Sequence, residues 1–161
     1  MASQLESLCF TDQPPIAADV ARGVTRLFCR QDLFAICEMP LPNGRRADLM
    51  AIDSKGGLTI VEIKVAKSDL VGDGKWTDYL DYCDRFFWAV PPHLAHILEE
   101  DRYLPGDAGL IVADRYDAAV VRHAADRPLA PARRKAELLR FARRAARRLA
   151  AQIDPSLGEA T

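Results

Sequence analysis

Near the start of the chain one helical run of apolar residues is followed by three runs of period two, each bounded by turn residues. Ile16, Val20, Val24, Leu27 and Phe28 recur at helical spacing after Pro14-Pro15, which predicts a helix to about Cys29. Leu33 to Met39 alternates as a strand does and is stopped by Pro40 and Pro42, with Asn43-Gly44 to turn the chain. Arg46 to Ile52 and Leu58 to Val65 read as two further strands, joined by the hairpin signal Asp53-Ser54-Lys55-Gly56-Gly57. Connections this short predict an antiparallel meander of the three.

Beyond Val65 the period changes more often. Ala66 to Leu70 begins an irregular or weakly helical crossing that Gly72 and Gly74 interrupt, and Lys75 to Asp84 reads as a helix with Trp76, Tyr79, Leu80 and Cys83 on one side. Arg85 to Val90 is a strand halted by Pro91-Pro92, Leu94 to Glu100 a short helix, Gly109 to Ala113 a buried strand, and Ala119 to His123 a strand at an edge. Arg133 to Gln152 predicts a long helix whose apolar stripe is Leu138, Leu139, Phe141, Ala142, Ala145, Ala146 and Leu149. The 161 residues suffice for a single domain with one core, and residues 1–13 and 153–161 read as loose tails.

Alternation within the third strand has a chemical consequence. Glu62 and Lys64 project to one side while Val61, Ile63 and Val65 point into a core on the other. The hairpin can bring Asp48 of the second strand back beside Glu62, so that two carboxylates and an ammonium share one sheet edge. Hydrolysis of a phosphodiester needs a hydroxide to approach an anion and a leaving alkoxide to be stabilised, and a divalent ion serves both needs. Mg²⁺, or Mn²⁺ in its place, takes hard oxygen ligands and keeps several waters, so Asp48 and Glu62 form a suitable half-site. Lys64 could orient or deprotonate the attacking water, or offset charge in the transition state. A solvent-facing ion pair on an edge strand is the plainer reading of Glu62 and Lys64 taken alone.

Composition narrows the classes. No apolar run reaches the length that spans a bilayer and the N-terminus has no signal-peptide pattern, so the expectation is a cytoplasmic protein. Cys9, Cys29, Cys37 and Cys83 show no CxxC pairing and read as small buried or half-buried side chains, and His93 and His96 lack a third ligand nearby. The net charge of −1 gives no hint of a polyanion partner, but its distribution does. Between Arg133 and Arg148 stand eight basic residues against the single acid Glu137, whereas Asp69 to Asp84 is rich in Asp. On the long helix Arg134, Arg144, Arg147 and Arg148 are placed mostly on the wet side, as sequence-independent phosphate contacts; a merely solvated face is the alternative. Arg45, Arg46 and Lys67 could grip phosphates flanking the scissile one, or be ordinary surface charge. Trp76, Phe86, Phe87 and Trp88 read as core sooner than as platforms for bases.

The D…ExK arrangement of Asp48, Glu62 and Lys64 resembles the PD-(D/E)xK nuclease superfamily, with Ala47 where many members have Pro. The stretch Lys75-Trp76-Thr77-Asp78-Tyr79-Leu80-Asp81-Tyr82-Cys83-Asp84-Arg85-Phe86-Phe87-Trp88-Ala89-Val90-Pro91, with Ala108 to Asp114 and Leu129 to Lys135 behind it, resembles the MmcB family of small bacterial DNA-repair proteins over roughly residues 15 to 150. The resemblance implies a restriction-endonuclease-like α/β fold, a mixed central sheet flanked by helices with the metal site at one sheet edge. It also implies a metal-dependent DNA endonuclease working in repair, with the backbone carbonyl of Ile63 as a third metal ligand. Lys75 and Tyr79, one helical turn apart, resemble the polar helix motif that follows the ExK strand and supports phosphate or the lysine. Glu38, ending the first strand, is either a water-mediated or supporting acid of the same pocket or a surface carboxylate. Two other functions stay open: a nucleic-acid-binding repair accessory with little turnover, and an RNA-processing nuclease of the same fold. So small a domain is expected to act as a homodimer or beside a repair partner that supplies DNA binding.

Overall fold

The computed structural model describes residues 13–71, 74–98 and 106–158. Six strands form one mixed sheet whose spatial order follows the chain: β1 (Phe34–Pro40), β2 (Arg46–Ile52), β3 (Leu58–Ile63), β4 (Arg85–Val90), β5 (Gly109–Ala113) and β6 (Ala118–Arg122). Tight turns join β1, β2 and β3, so these pairs are antiparallel, as the sequence predicts. At the β2–β3 hairpin Gly56 takes a positive φ of 81°, and Asp53 Oδ1 accepts from the amides of Lys55 (2.8 Å) and Gly57 (2.7 Å). The next two pairs, β3–β4 and β4–β5, are parallel and have long connections carrying helices, while β6 returns antiparallel at the far edge.

Helices cover both faces. On one, α1 (Ala17–Arg30) buries Val20, Val24, Leu27 and Phe28 against Leu49, Ala51, Val61, Phe87 and Ile111. Its seat depends on Gly23, where a Cβ would lie 2.2 Å from the carbonyl oxygen of Asp114 and 2.6 Å from that of Asp117, so any larger residue would push the helix off the β5–β6 turn. The other face buries Met50, Leu58, Ile60, Phe86 and Trp88. Against it lie a 3₁₀ segment (Trp76–Tyr82), α3 (Ala95–Leu98) and α4 (Pro131–Ile153), while α2 (Lys67–Val71) follows β3.

Three local expectations change. The span read as a helix from Lys75 to Asp84 is the 3₁₀ segment, because Trp76, Tyr79 and Tyr82 recur every three residues and so bury one edge of a helix with three residues per turn. Trp76 and Phe86 rings stand 5.5 Å apart and Phe86 meets Trp88 edge-on at 5.1 Å, so these aromatics are core, as Phe87 is on the other face. On α4 the assumed stripe is largely outward: Leu139 is 60% and Leu149 61% exposed. Of that stripe Phe141 and half-buried Leu138 do face inward, and beside them lies Glu137, which is fully buried. Glu137 can occupy it because Arg133 (3.6 Å) and Arg140 (3.3 Å) flank its carboxylate at i−4 and i+3. Cys29 and Cys37 are exposed and only Cys83 is buried; all three are free thiols. Cys9 and the tail of residues 1–12 lie outside the described residues, and part of the C-terminal tail forms a 3₁₀ turn at Pro155–Gly158.

Candidate active site

The β1–β2–β3 ladder breaks at one level. Between β1 and β2 the pairing passes from Cys37 with Leu49 to Met39 with Ala47, and between β2 and β3 it ends at Leu49 with Val61. Glu38, Asp48 and Glu62 therefore stand at a level where the ladder lacks a rung, although the β1–β2 register is the same on either side of it. Glu38 has a φ of 52°, a left-handed conformation that a residue with a Cβ adopts only under local constraint. Ile36 and Met39 consequently pack into the same core cluster although they stand three residues apart.

The amides released by the break are satisfied by the acids themselves. Glu62 Oε1 accepts from the Asp48 amide (3.1 Å), and Asp48 Oδ2 accepts from the Ile63 amide (2.8 Å). The two carboxylates are thus cross-bonded, each to the strand that carries or adjoins the other. Glu62 remains fixed on its other side, where it pairs with Trp88 of β4, and the Lys64 amide donates to the Ala89 carbonyl (2.9 Å). The Tyr79 hydroxyl donates to the Glu62 carboxylate, which joins the 3₁₀ segment to the site. Lys64 is half-buried with Nζ 5.4 Å from the Trp88 ring centre.

Burial, then the charge of Asp48, pushes the Glu62 carboxyl up from about 4.5 to about 7, against the lowering effects of the Asp48 amide, Lys64 and Tyr79. Burial likewise raises Asp48. Between these two values of pH the folded protein holds a proton on Glu62 that the unfolded chain has released. Stability therefore falls as pH rises through this window, and the penalty is complete above about 7. A shift of this size corresponds to about 3 kcal/mol at most. Chemical denaturation in EDTA is expected to show Glu62→Gln more stable than wild type by about 2 kcal/mol at pH 8 and nearly equal at pH 5. An identical offset at both pH values would mean that Glu62 carries no such burden.

Asp48 opens onto a cavity of about 510 Å³ between α1 and the ends of β1 to β3. Its walls include Cys37, Glu38 and Ile63 on the sheet side, and Ala17, Ala18, Ala21 and Arg22 on α1. The small alanines leave the space, and Arg22 stands at its rim. The sequence reading passed over Arg22 and Arg26, although Arg22, Arg26 and Arg30 at i, i+4, i+8 mark a basic face on α1. Arg26 donates to the Tyr116 carbonyl at 3.0 Å and Arg30 pairs with Asp117, so these two tie α1 to the β5–β6 turn.

The other sequence candidates separate. Glu38 is at the site, with Arg46 Nη2 3.6 Å from its Oε1 and Arg148 donating to its carbonyl at 3.2 Å. Arg45 is engaged by Asp78 through Nε (3.1 Å) and Nη2 (2.9 Å), holding the β1–β2 turn on the 3₁₀ segment. Lys75 and Lys67 are exposed, at the start of the 3₁₀ segment and of α2. Arg134 is not on a wet face. Its guanidinium forks onto Asp84 (2.8 and 2.6 Å) and donates to the Gly56 carbonyl (2.9 Å), because it lies one turn ahead of the inward-facing Leu138. Among the described residues no three His, Cys, Asp or Glu side chains cluster to hold a metal, and no helix is long and apolar enough to cross a membrane.

A family model described as "DNA repair protein MmcB-like" matches residues 6–156. The chain belongs to the MmcB-like family of DNA repair proteins. A solved structure of a protein of unknown function from Silicibacter pomeroyi is similar to this MmcB-like chain at 41% identity and a TM-score of 0.79, covering 90% of this chain and 95% of that one. That neighbour shares the mixed sheet with flanking helices. No curated protein matches the chain.

Proposed function

We propose that this MmcB-like protein is a metal-dependent DNA phosphodiester hydrolase of the PD-(D/E)xK kind, acting as an endonuclease in repair. The observation that carries the reading is the break in the ladder, where Asp48 and Glu62 meet beside Lys64 and Asp48 opens onto a cavity. A structural ion pair would have no reason to leave two carboxylates raised by burial, and each also by the charge of a neighbouring acid. A hard divalent cation, Mg²⁺ or Mn²⁺, relieves that burden, and two carboxylates with water and phosphate oxygens are an ordinary set for it. The Ile63 carbonyl would be a third protein ligand, and Glu38 would reach the ion through water.

Bound there, the cation would supply Lewis acidity and an activated water. The chain's own groups do the rest. The Tyr79 hydroxyl holds Glu62 in one rotamer, and the cross-bonds to backbone amides fix both acids. Lys64 orients the attacking water and, as the neutral amine, accepts its proton, or, as the ammonium, offsets charge on the phosphorane. Arg22 at the rim, and Arg46 beside Glu38, would hold flanking phosphates.

A panel of single-stranded, duplex, flapped and lesion-bearing DNA, with matched RNA, tests the reading. Cleavage of at least one DNA is expected with Mg²⁺ or Mn²⁺ and none in EDTA. Calorimetric titration with Mn²⁺ should show affinity at least about ten-fold lower in Asp48→Asn, as for the loss of a metal-supporting group. If no DNA is cut with either ion, the hydrolase reading fails and binding without turnover replaces it; cleavage confined to RNA would reassign the substrate.

A further inference from the structure

On the other side of β1 from the cavity at Asp48, α4 and the end of β1 enclose a trough of about 940 Å³. Met39 and Pro40 form its β1 side, and Arg140, Arg143, Arg144 and Arg147 project from α4 with no acid among the lining residues. The Nε atoms of Arg140 and Arg144 are buried without a hydrogen-bond partner, since the 3.3 Å approach of Arg140 to Glu137 lacks hydrogen-bond geometry. The floor between them is apolar, with Leu139 exposed and Ala136 and Ala146 small.

From these features we propose that the trough holds one unpaired DNA strand and leads it over the end of β1 to the acids. The charge complementarity is to phosphate, which guanidinium groups grasp through paired donors. Arg140, Arg144 and Arg148 succeed one another at about 6 Å along the helix, four residues at 1.5 Å each. The last of them donates to the carbonyl of Glu38, the residue that also lines the cavity at Asp48, so the row of arginines runs from the trough to the edge of the site. An unpaired strand can lay bases or sugars on the apolar floor while its phosphates meet the arginines. A duplex hides its bases and would leave Leu139 uncovered. The volume is also that of a site for a few nucleotides, near the upper end of roughly 300–1,000 Å³ for small-ligand sites. The inference deepens the hydrolase reading and rests on it only for where the strand is going.

The test is fluorescence anisotropy in EDTA with a thymidine 20-mer and a duplex of the same length. Wild type should bind the single strand at least about ten-fold more tightly. Replacing Arg140, Arg143, Arg144 and Arg147 together by Gln should flatten the slope of log affinity against log salt by roughly three units, at about 0.7 per phosphate on a single strand. Because loss of Arg140 exposes Glu137 to an unpaired burial, Arg143→Gln with Arg147→Gln is the second variant, with roughly half that flattening expected. Leu139→Ala should weaken single-strand binding several-fold without changing the slope. Equal affinity for the duplex, no binding of the single strand, or an unchanged slope in a folded variant would overturn the proposal. Binding in EDTA is independent of turnover, so loss of the hydrolase reading alone would leave these results standing.

Discussion

Replacing Lys64 by Ala is expected to lower DNA cleavage about a thousand-fold while metal binding at pH 8.5 stays within a few-fold of wild type. A group that orients water, moves a proton or offsets transition-state charge is worth about that much. The pH matters because the Lys64 charge also holds the Asp48 and Glu62 carboxyls down. Without it both rise further, and at pH 7 a fall in metal affinity would reflect protonation of the acids and not a lost ligand. Glu62 titrates near 7 in the wild type, so pH 8.5 keeps the comparison on the ionised side. Lys64→Arg then separates the two roles. It restores the charge but cannot give up its proton at this pH, so partial recovery would identify electrostatic stabilisation and no recovery a proton acceptor. Activity of Lys64→Ala within ten-fold of wild type at pH 8.5 would remove Lys64 from the chemistry.

The acids and the lysine were legible because strand alternation and a short hairpin suffice to place Glu62 beside Lys64 and to return Asp48 to the next strand. The cross-bonding was not. It arises where the β2–β3 pairing stops, at the level of the positive φ of Glu38, which no residue-type preference announces at a glutamate. The cavity wall was hidden for another reason: Ala17, Ala18, Ala21 and Arg22 matter only once Gly23 has let α1 approach the β5–β6 turn. Tyr79 was visible as a helical neighbour of Lys75, but its bond to Glu62 follows from the three-residue period of the 3₁₀ segment.

Most of the fold was written in local pattern. The three-strand meander, the apolar run of β5 and both long helices follow from periodicity and turn residues, within a residue or two at their ends. The face of α4 does not. Its apolar residues are spread around the helix, so a stripe can be drawn through Leu139 and Leu149 that the structure leaves exposed. Glu137 is met within the helix by its flanking arginines, but what ties α4 to the sheet is a second ionic contact, Arg134 with Asp84, and a contact between residues so distant in the chain leaves no period in the sequence.

That second contact makes Asp84 the residue whose loss should most damage the fold. Its carboxylate accepts from the Leu58 amide (2.7 Å), the Leu129 amide (2.8 Å) and both terminal nitrogens of Arg134. Its backbone adds two bonds, its amide to the Leu58 carbonyl and its carbonyl from the Arg127 amide, both 2.8 Å. The starts of β3 and β4, the lead-in to α4 and the first turn of that helix therefore meet on one side chain. Burial would raise its carboxyl, but the bonds from Arg134 and the two amides outweigh that and hold it below the usual aspartate range. Its contribution is thus present above the unfolded value and is lost as pH falls through the folded one. Asp84→Ala orphans two amides and a largely buried guanidinium at once, so the expected loss is about 4 kcal/mol, a large part of a typical domain's stability. Arg134→Gln should cost roughly half as much, and in a double-mutant cycle by urea denaturation the two effects should be strongly non-additive. The salt slope of DNA binding by folded Arg134→Gln should match wild type, since Arg134 serves Asp84 and not phosphate. A loss below about 1 kcal/mol in Asp84→Ala would place the anchorage of α4, and with it the position of the arginine trough beside Glu38, on other contacts.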